Sequence, residues 1–347
     1  GIRDTSVTGV QTCALPIYDV HVGVVEGLRK IGVPLSEFRL DGRIERTNGF
    51  LHYLWRKQKR ERPELKWPKP TSTDVLYQAS QGLIERALER GCTDIVIVSA
   101  MFLMPDRLEL ARRAGLRVWL LCTETPYDIE HELRVAKFAS GVWTHERTAL
   151  DRFATVSPHV GYLSHAWRDG IHDITSTPIP NGPDVLFCRS FFKERIEWFE
   201  QIDWSGINLH LYGLAESLSK NSPIRQYFKG EIVPNDQLPR LAQSSKIVMN
   251  LFRATKERAE SLNPRCYEMA ASGVCMVSDA RAELMEKFGD AVPVFSTPLE
   301  ASTLIRDLIH DPQKRERCAR IAKHSVMHDT WTHRAQQMIS DIKTWCD

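Results

Sequence analysis

The sequence predicts an α/β protein of two doubly wound, parallel-sheet domains, on three observations. Short apolar runs alternate with helical patterns through most of the 347 residues. Runs such as Ile95-Val-Ile-Val98 are apolar at every position, as strands covered on both faces are. The length also exceeds what a single core usually serves.

In order, a helix is expected over 21–30, a second over 73–90, a strand over 94–100, a helix over 105–114 and strands over 116–123 and 141–145. The second half continues with strands over 185–188, 209–212, 247–252, 274–278 and 292–295. Helices over 193–201, 235–242, 299–310 and 311–328 fill the gaps. Residues 164–184 are rich in Pro, Gly, Asp and Thr and have no period, so they read as a linker. The resulting plan is a first domain over 18–168, a second over 169–330, and a segment over 331–347 whose helix packs back on the first domain.

Residues 7–17, Val-Thr-Gly-Val-Gln-Thr-Cys-Ala-Leu-Pro-Ile, match what a common sequencing-library adapter encodes in one frame, and residues 1–4 match its flanking primer. Residues 1–17 are therefore expected to be non-native and are set aside. The first domain is then expected to lack its first, central strand, a wall of the cleft with it, and some stability.

A net charge of +2 argues against wholesale coating of nucleic acid but permits a local basic patch. Eight Cys without a C-x-x-C pair suggest a reducing, cytoplasmic setting rather than disulfides or zinc. No apolar stretch approaches the roughly 18 residues of a membrane span.

The most informative segment is 257–279. It reads as a loop, a helix opening at Asn263-Pro264, a stop at Gly273 and a buried strand. Asn caps helices well and Pro suits the first helical position. Such a helix start offers amides to phosphate. Glu268, about one turn in, can accept hydrogen bonds from sugar or ribose hydroxyls, and Glu260 precedes it by eight positions. Arg253, Lys256 and Arg265 bracket the block with positive charge.

Glu268-Met-Ala-Ala-Ser-Gly273 resembles the second half of the Glu-x7-Glu segment of retaining glycosyltransferases of the GT-B fold. Ser261-Leu-Asn-Pro-Arg-Cys-Tyr-Glu268, followed by Ser278-Asp-Ala-Arg-Ala-Glu-Leu284, looks like the CgeB-like (spore-maturation-protein-like) bacterial and phage glycosyltransferases. The resemblance implies two Rossmann-like domains facing a cleft. It implies transfer from a UDP-, GDP- or dTDP-linked sugar to an unspecified acceptor (glycan, lipid-linked, protein or modified DNA). Retention follows from the Glu-x7-Glu match. The chain has no Asp-x-Asp, so no metal or other cofactor is expected.

The resemblance also implies roles. Glu268 would hold the ribose, Glu260 would lie near the transferred sugar, and Arg253, Arg265 and the Asn263-Pro264 helix start would stabilise the departing diphosphate, with Lys256 nearby. Arg189 and Lys193 stand where related enzymes carry a diphosphate clamp, Gly213 would border the base, and His165 would be a donor contact at the domain junction. In Thr123-Glu-Thr-Pro-Tyr-Asp128, Glu124 or Asp128 would orient the acceptor; Asp128 reads equally well as a helix cap. Arg56, Lys57, Lys59 and Arg60, interleaved with aromatic residues, are candidates for an anionic acceptor. Two rival readings are a phage-type enzyme acting on modified DNA bases and a non-catalytic, coat-associated binding protein.

Overall fold

The computed structural model describes residues 7–11, 15–99, 101, 103–177, 179–231 and 233–347, with side chains from residue 19 onward. It divides into two units: residues 1–163 with 334–347, and residues 164–333.

The first unit is built on a parallel sheet of β1 (Val7–Gln11), β2 (Leu35–Arg39), β3 (Asp94–Val98), β4 (Arg117–Cys122), β5 (Gly141–Thr144) and β6 (Val160–Tyr162), in spatial order β2-β1-β3-β4-β5-β6. The expectation of a sheet without its first strand is corrected. Val7–Gln11 pairs in parallel with Leu35–Arg39 on one side and with Asp94–Val98 on the other. Residues 1–6 and 12–14 of the segment set aside lie outside the described residues.

Among the described residues, the helices interleaved with these strands are α1 (Leu15–Lys30), α2 (Asp41–Glu61), α3 (Ser72–Ala79), α4 (Leu83–Glu89), α5 (Pro105–Arg113), α6 (Ile129–Ala136) and α7 (Leu150–Ala154). The single helix expected over 73–90 is two, because Gly82 takes a left-handed φ of 80° between them. Every residue of β3 is buried. Buried Asp94 is held by Arg117 (2.7 and 2.8 Å) and by the Trp119 indole N–H (2.7 Å). By contrast α2, 21 residues long, buries none of its side chains, and leaves Phe50 and Tyr53 more than half exposed among basic residues.

The second unit is built on β7 (Val185–Cys188), β8 (Leu209–Tyr212), β9 (Phe228–Gly230), β10 (Ile247–Asn250), β11 (Met276–Asp279) and β12 (Val294–Phe295), with helices α8 (Lys193–Gln201), α9 (Leu238–Gln243), α10 (Pro264–Ala271), α11 (Ala282–Phe288), α12 (Pro298–His310) and α13 (Pro312–Ser325). A last helix, α14 (Trp331–Cys346), returns the chain to the first unit. There Trp345 lies 5.2 Å from the Trp143 ring, over Gly141, where a Cβ would come within 2.8 Å of it.

The second sheet is parallel throughout, in order β12-β11-β10-β7-β8-β9. Alternate strand residues feed two cores: Val185, Phe187, Ile247 and Met249 on one face, Leu186, Val248 and Met276 on the other. This is the doubly wound arrangement. Strand order reverses between β7 and β10, and ligands of such sheets bind beyond the carboxyl ends of the strands at that point.

Candidate functional site

Arg189 directly follows β7 and Arg253 comes three residues after β10, so two of the expected cations stand close to the reversal. Buried Arg195, from α8, ties the two strand ends together by donating to the carbonyls of Ser190 (2.8 Å) and Leu251 (2.7 Å). Gly213, at φ 150°, presses so closely on Arg189 that a Cβ would overlap the Arg189 carbonyl. The glycine expected to border a base thus sets the course of the Arg189 main chain.

Helix α10 opens as the spacing predicts. Asn263 is its N-cap with extended backbone, its Oδ1 accepts from the Cys266 amide (3.3 Å), and Pro264 begins the helix. The Asn263 amide also donates to Asn250 Oδ1 (3.0 Å), whose own amide donates to Ser278 Oγ (2.8 Å). The helix start is therefore bolted to β10 and β11 through buried, satisfied polar groups.

Arg265 and Glu268 stand one turn apart on α10, with Arg265 Nη1 2.9 Å from Glu268 Oε2. Burial alone would raise the Glu268 pKa. Arg265, His172 and Arg189 outweigh it and hold the carboxyl at about 2. Glu268 is thus a buried carboxylate that stays ionised. Arg189 faces the opposite balance: burial first, then repulsion from Arg265 and Arg195, pulls its pKa down to about 9. A guanidinium nevertheless keeps its proton. Arg189 Nε and Arg265 Nε are buried and have no hydrogen-bond acceptor among the described residues. The guanidinium groups of Arg189 and Arg265 against the one carboxylate of Glu268 leave positive charge in excess, which an oxyanion would relieve.

The other expected residues are placed less centrally. Arg253 is exposed, its guanidinium 4.8 Å over the Phe192 ring. Lys256 is exposed on the loop before α10. Glu260, half-buried, pairs with Arg258 on that loop. Lys193 is not brought to the cluster; it opens α8, largely exposed, and pairs with Glu197. His165 is buried near the start of the unit, but it is His172, further along that loop, that lies within electrostatic reach of Glu268.

In the first unit, Glu124 and Asp128 lie on the loop between β4 and α6. The alternative reading of Asp128 as a side-chain cap is corrected: it occupies the cap position, but only its main-chain carbonyl bonds into the helix. The residue missed here is Glu132. It is buried on α6, accepting from the Glu124 amide (3.0 Å) and the Thr125 hydroxyl (2.5 Å); burial, with the Glu124 charge adding, pushes its pKa up to about 7. Its position on the apolar face with Ile129 and Val135 is a signal that could have found it. Glu283, which accepts from the Leu262 amide (2.8 Å) and Tyr267 hydroxyl (3.2 Å), was visible only as part of a motif. Among the described residues no group of His, Cys, Asp and Glu could hold a metal ion, and no helix is long and apolar enough to cross a membrane.

Two Rossmann-like units, the second with a cationic, carboxylate-bearing site at its strand reversal, define the GT-B fold. Residues 193–340 match the model of a family described as glycosyl transferase-like, which spans most of the second unit. No curated protein matches the chain. Among solved structures, it is similar to an α,α-trehalose-phosphate synthase (UDP-forming) from Burkholderia vietnamiensis, with TM-score 0.64 and 11% identity over 98% of this chain and 100% of that one. The Anabaena protein HepE in complex with UDP-glucose gives 0.58 and 12%, over 97% and 99%. A Staphylococcus aureus MnaA–UDP structure gives 0.57 and 10%, over 99% and 97%. At such identities the structures show a shared fold.

Proposed function

We propose that the chain transfers a glycosyl group from a nucleotide sugar to an acceptor, and that the Arg189–Arg265–Glu268 cluster receives the donor. The observation that carries this is buried guanidinium N–H groups without acceptors, set beside a carboxylate held ionised at the strand reversal. The diphosphate would occupy the guanidinium groups, and Glu268 would accept hydrogen bonds from ribose hydroxyls. The UDP-glucose and UDP bound by two structural neighbours support this donor class.

In the reaction, the bond from the anomeric carbon to the diphosphate oxygen breaks, its electron pair leaving with the nucleoside diphosphate. The acceptor oxygen bonds the anomeric carbon, and the acceptor proton passes to the leaving phosphate. Fixed positive groups act where charge grows on that leaving group. Arg189 and Arg265 would supply this charge without a metal, Arg253 adding to it from the exposed edge. Glu260 is paired rather than poised as a nucleophile, which favours front-face displacement with retention. The test is thermal unfolding with and without UDP, GDP and dTDP and their sugars, on the chain and on Glu268→Ala. A ligand that binds only the folded state raises the midpoint. One nucleotide family should do so for the parent alone; no response to any of them favours the non-catalytic reading.

For the acceptor, α2 favours a polyanion. Arg56, Lys57, Lys59 and Arg60 project with exposed Tyr53 and Phe50 from a helix that buries nothing. Such a surface suits phosphate backbones, including DNA carrying modified bases. Salt-sensitive DNA binding that disappears when these four residues are changed to Gln would support this acceptor.

A further inference from the structure

His172 lies on the loop leading into the second unit, only 1% exposed. Its ring is oriented from one side: the Arg168 main-chain N–H donates to Nδ1 at 3.0 Å. That bond fixes the tautomer, because a neutral imidazole whose Nδ1 accepts carries its proton on Nε2. Nε2 is buried and has no hydrogen-bond partner among the described residues. The loop itself is pinned, with Trp167 bonded through its main chain to Asp329 and Trp331 and through its indole N–H to the Val326 carbonyl (2.7 Å). The charged groups facing the ring are Glu268 and Arg265 from α10, and Arg168 and Asp173 from its own loop. His172 thus shares two neighbours, Glu268 and Arg265, with Arg189.

We propose that His172 is a further ligand-binding residue of this site, donating Nε2–H to an oxygen of the nucleotide sugar that Arg189 and Arg265 hold. The proposal rests on the donor-site reading above. A pinned loop, a ring fixed by one main-chain bond and a buried donor left over make a preorganised contact. Burial keeps the ligand-free ring neutral, its pKa below the ordinary value. A bound anion pulls the other way, toward the imidazolium, so binding takes up a proton as pH falls and the contact strengthens.

The experiment measures binding of UDP-, GDP- and dTDP-glucose to the full chain by calorimetry between pH 8 and 5.5, for the parent, His172→Gln and His172→Phe. Neither substitution keeps the Nδ1 acceptor, so both lose the Arg168 bond equally. Only Gln retains a donor near Nε2, and the difference between them isolates that donor. At pH 8, His172→Phe should bind about tenfold more weakly than the parent, the effect of one lost charge-assisted hydrogen bond, while His172→Gln stays within about twofold. Only the parent should tighten toward pH 5.5. Phe binding as tightly as the parent, or Gln and Phe weakened alike, overturns the proposal. A parent that binds none of the three sugars overturns the donor-site reading and this inference with it.

Discussion

Replacing Arg189 with Met should stabilise the ligand-free protein and abolish its response to nucleotide. The Arg189 pKa falls from 12.5 to about 9, through burial and through repulsion by Arg265 and Arg195. At about 1.4 kcal/mol per pKa unit, the charged form is penalised by up to about 5 kcal/mol. Met fills a similar volume without the charge. Replacing buried charges by well-packed apolar groups stabilises by about 1–4 kcal/mol. For a unit of this size each kcal/mol moves the melting midpoint by about 2–4 °C. Differential scanning calorimetry of parent and variant, with and without UDP, GDP and dTDP, reads both effects. The variant should melt several degrees higher alone, and the nucleotide-induced rise seen for the parent should vanish. A variant that melts lower than the parent, or that keeps the nucleotide-induced rise, would refute the reasoning, because Arg189 would then be satisfied internally.

Three further outcomes follow from the same contacts. Glu268 has a folded pKa of about 2 against an ordinary 4.5, so the stability its charge contributes is complete above about pH 4.5 and is lost as pH falls toward 2. Glu268→Gln should cost about 3–5 kcal/mol at pH 7, by leaving buried cations unpaired, and should flatten the acid limb of a pH–stability curve. Gly213→Ala should destabilise by about 1–3 kcal/mol or more, since the added methyl meets a main-chain carbonyl, and should weaken nucleotide binding by displacing Arg189; an unchanged midpoint in thermal unfolding would contradict this. Trp345→Ala, at the seam of α14 with Trp119 and Trp143, should cost about 3 kcal/mol in chemical denaturation without changing nucleotide affinity.

The strands legible in the sequence are those buried on both faces. β7 and β8 fall on the residues their apolar runs mark, and β3, β4 and β10 differ by a residue or two at the ends. Apart from β1, which falls in the segment set aside, the strands that escaped, β2, β6 and β9, lie at sheet edges, and β6 and β9 are three residues long and at most half-buried, so no apolar run marks them. Within the site, Asn263, Pro264, Arg265 and Glu268 were legible because helix-start chemistry is local: a cap, a proline and a carboxylate one turn in. His172 and Arg195 were not. One sits on a loop with no period, and the other is an arginine on a mostly polar helix, one of whose partners is the carbonyl of Leu251, distant in sequence. Lys193 illustrates the opposite error, since its place after β7 suited a clamp while its side chain turns outward to Glu197.

The balance of charge in the site argues for an anionic ligand rather than a neutral sugar alone. If the cluster served only to hold the fold together, an apolar side chain would do better than Arg189, and a second carboxylate would pair the guanidinium groups that lack acceptors. Neither is present. The surrounding polar groups are instead satisfied: Asn263 on Asn250, Asn250 on Ser278, Glu283 on Tyr267 and Leu262. A rigid, saturated frame thus encloses unsaturated positive charge. Glu268 offsets part of the charge of Arg189 and Arg265 without cancelling it, which keeps the cluster foldable while leaving charge for a diphosphate to neutralise. That same carboxylate would be repelled by a phosphate placed against it. The geometry therefore favours a ligand whose hydroxyls meet Glu268 while its phosphates meet Arg189 and Arg265, as the ribose and diphosphate of one nucleotide can do together.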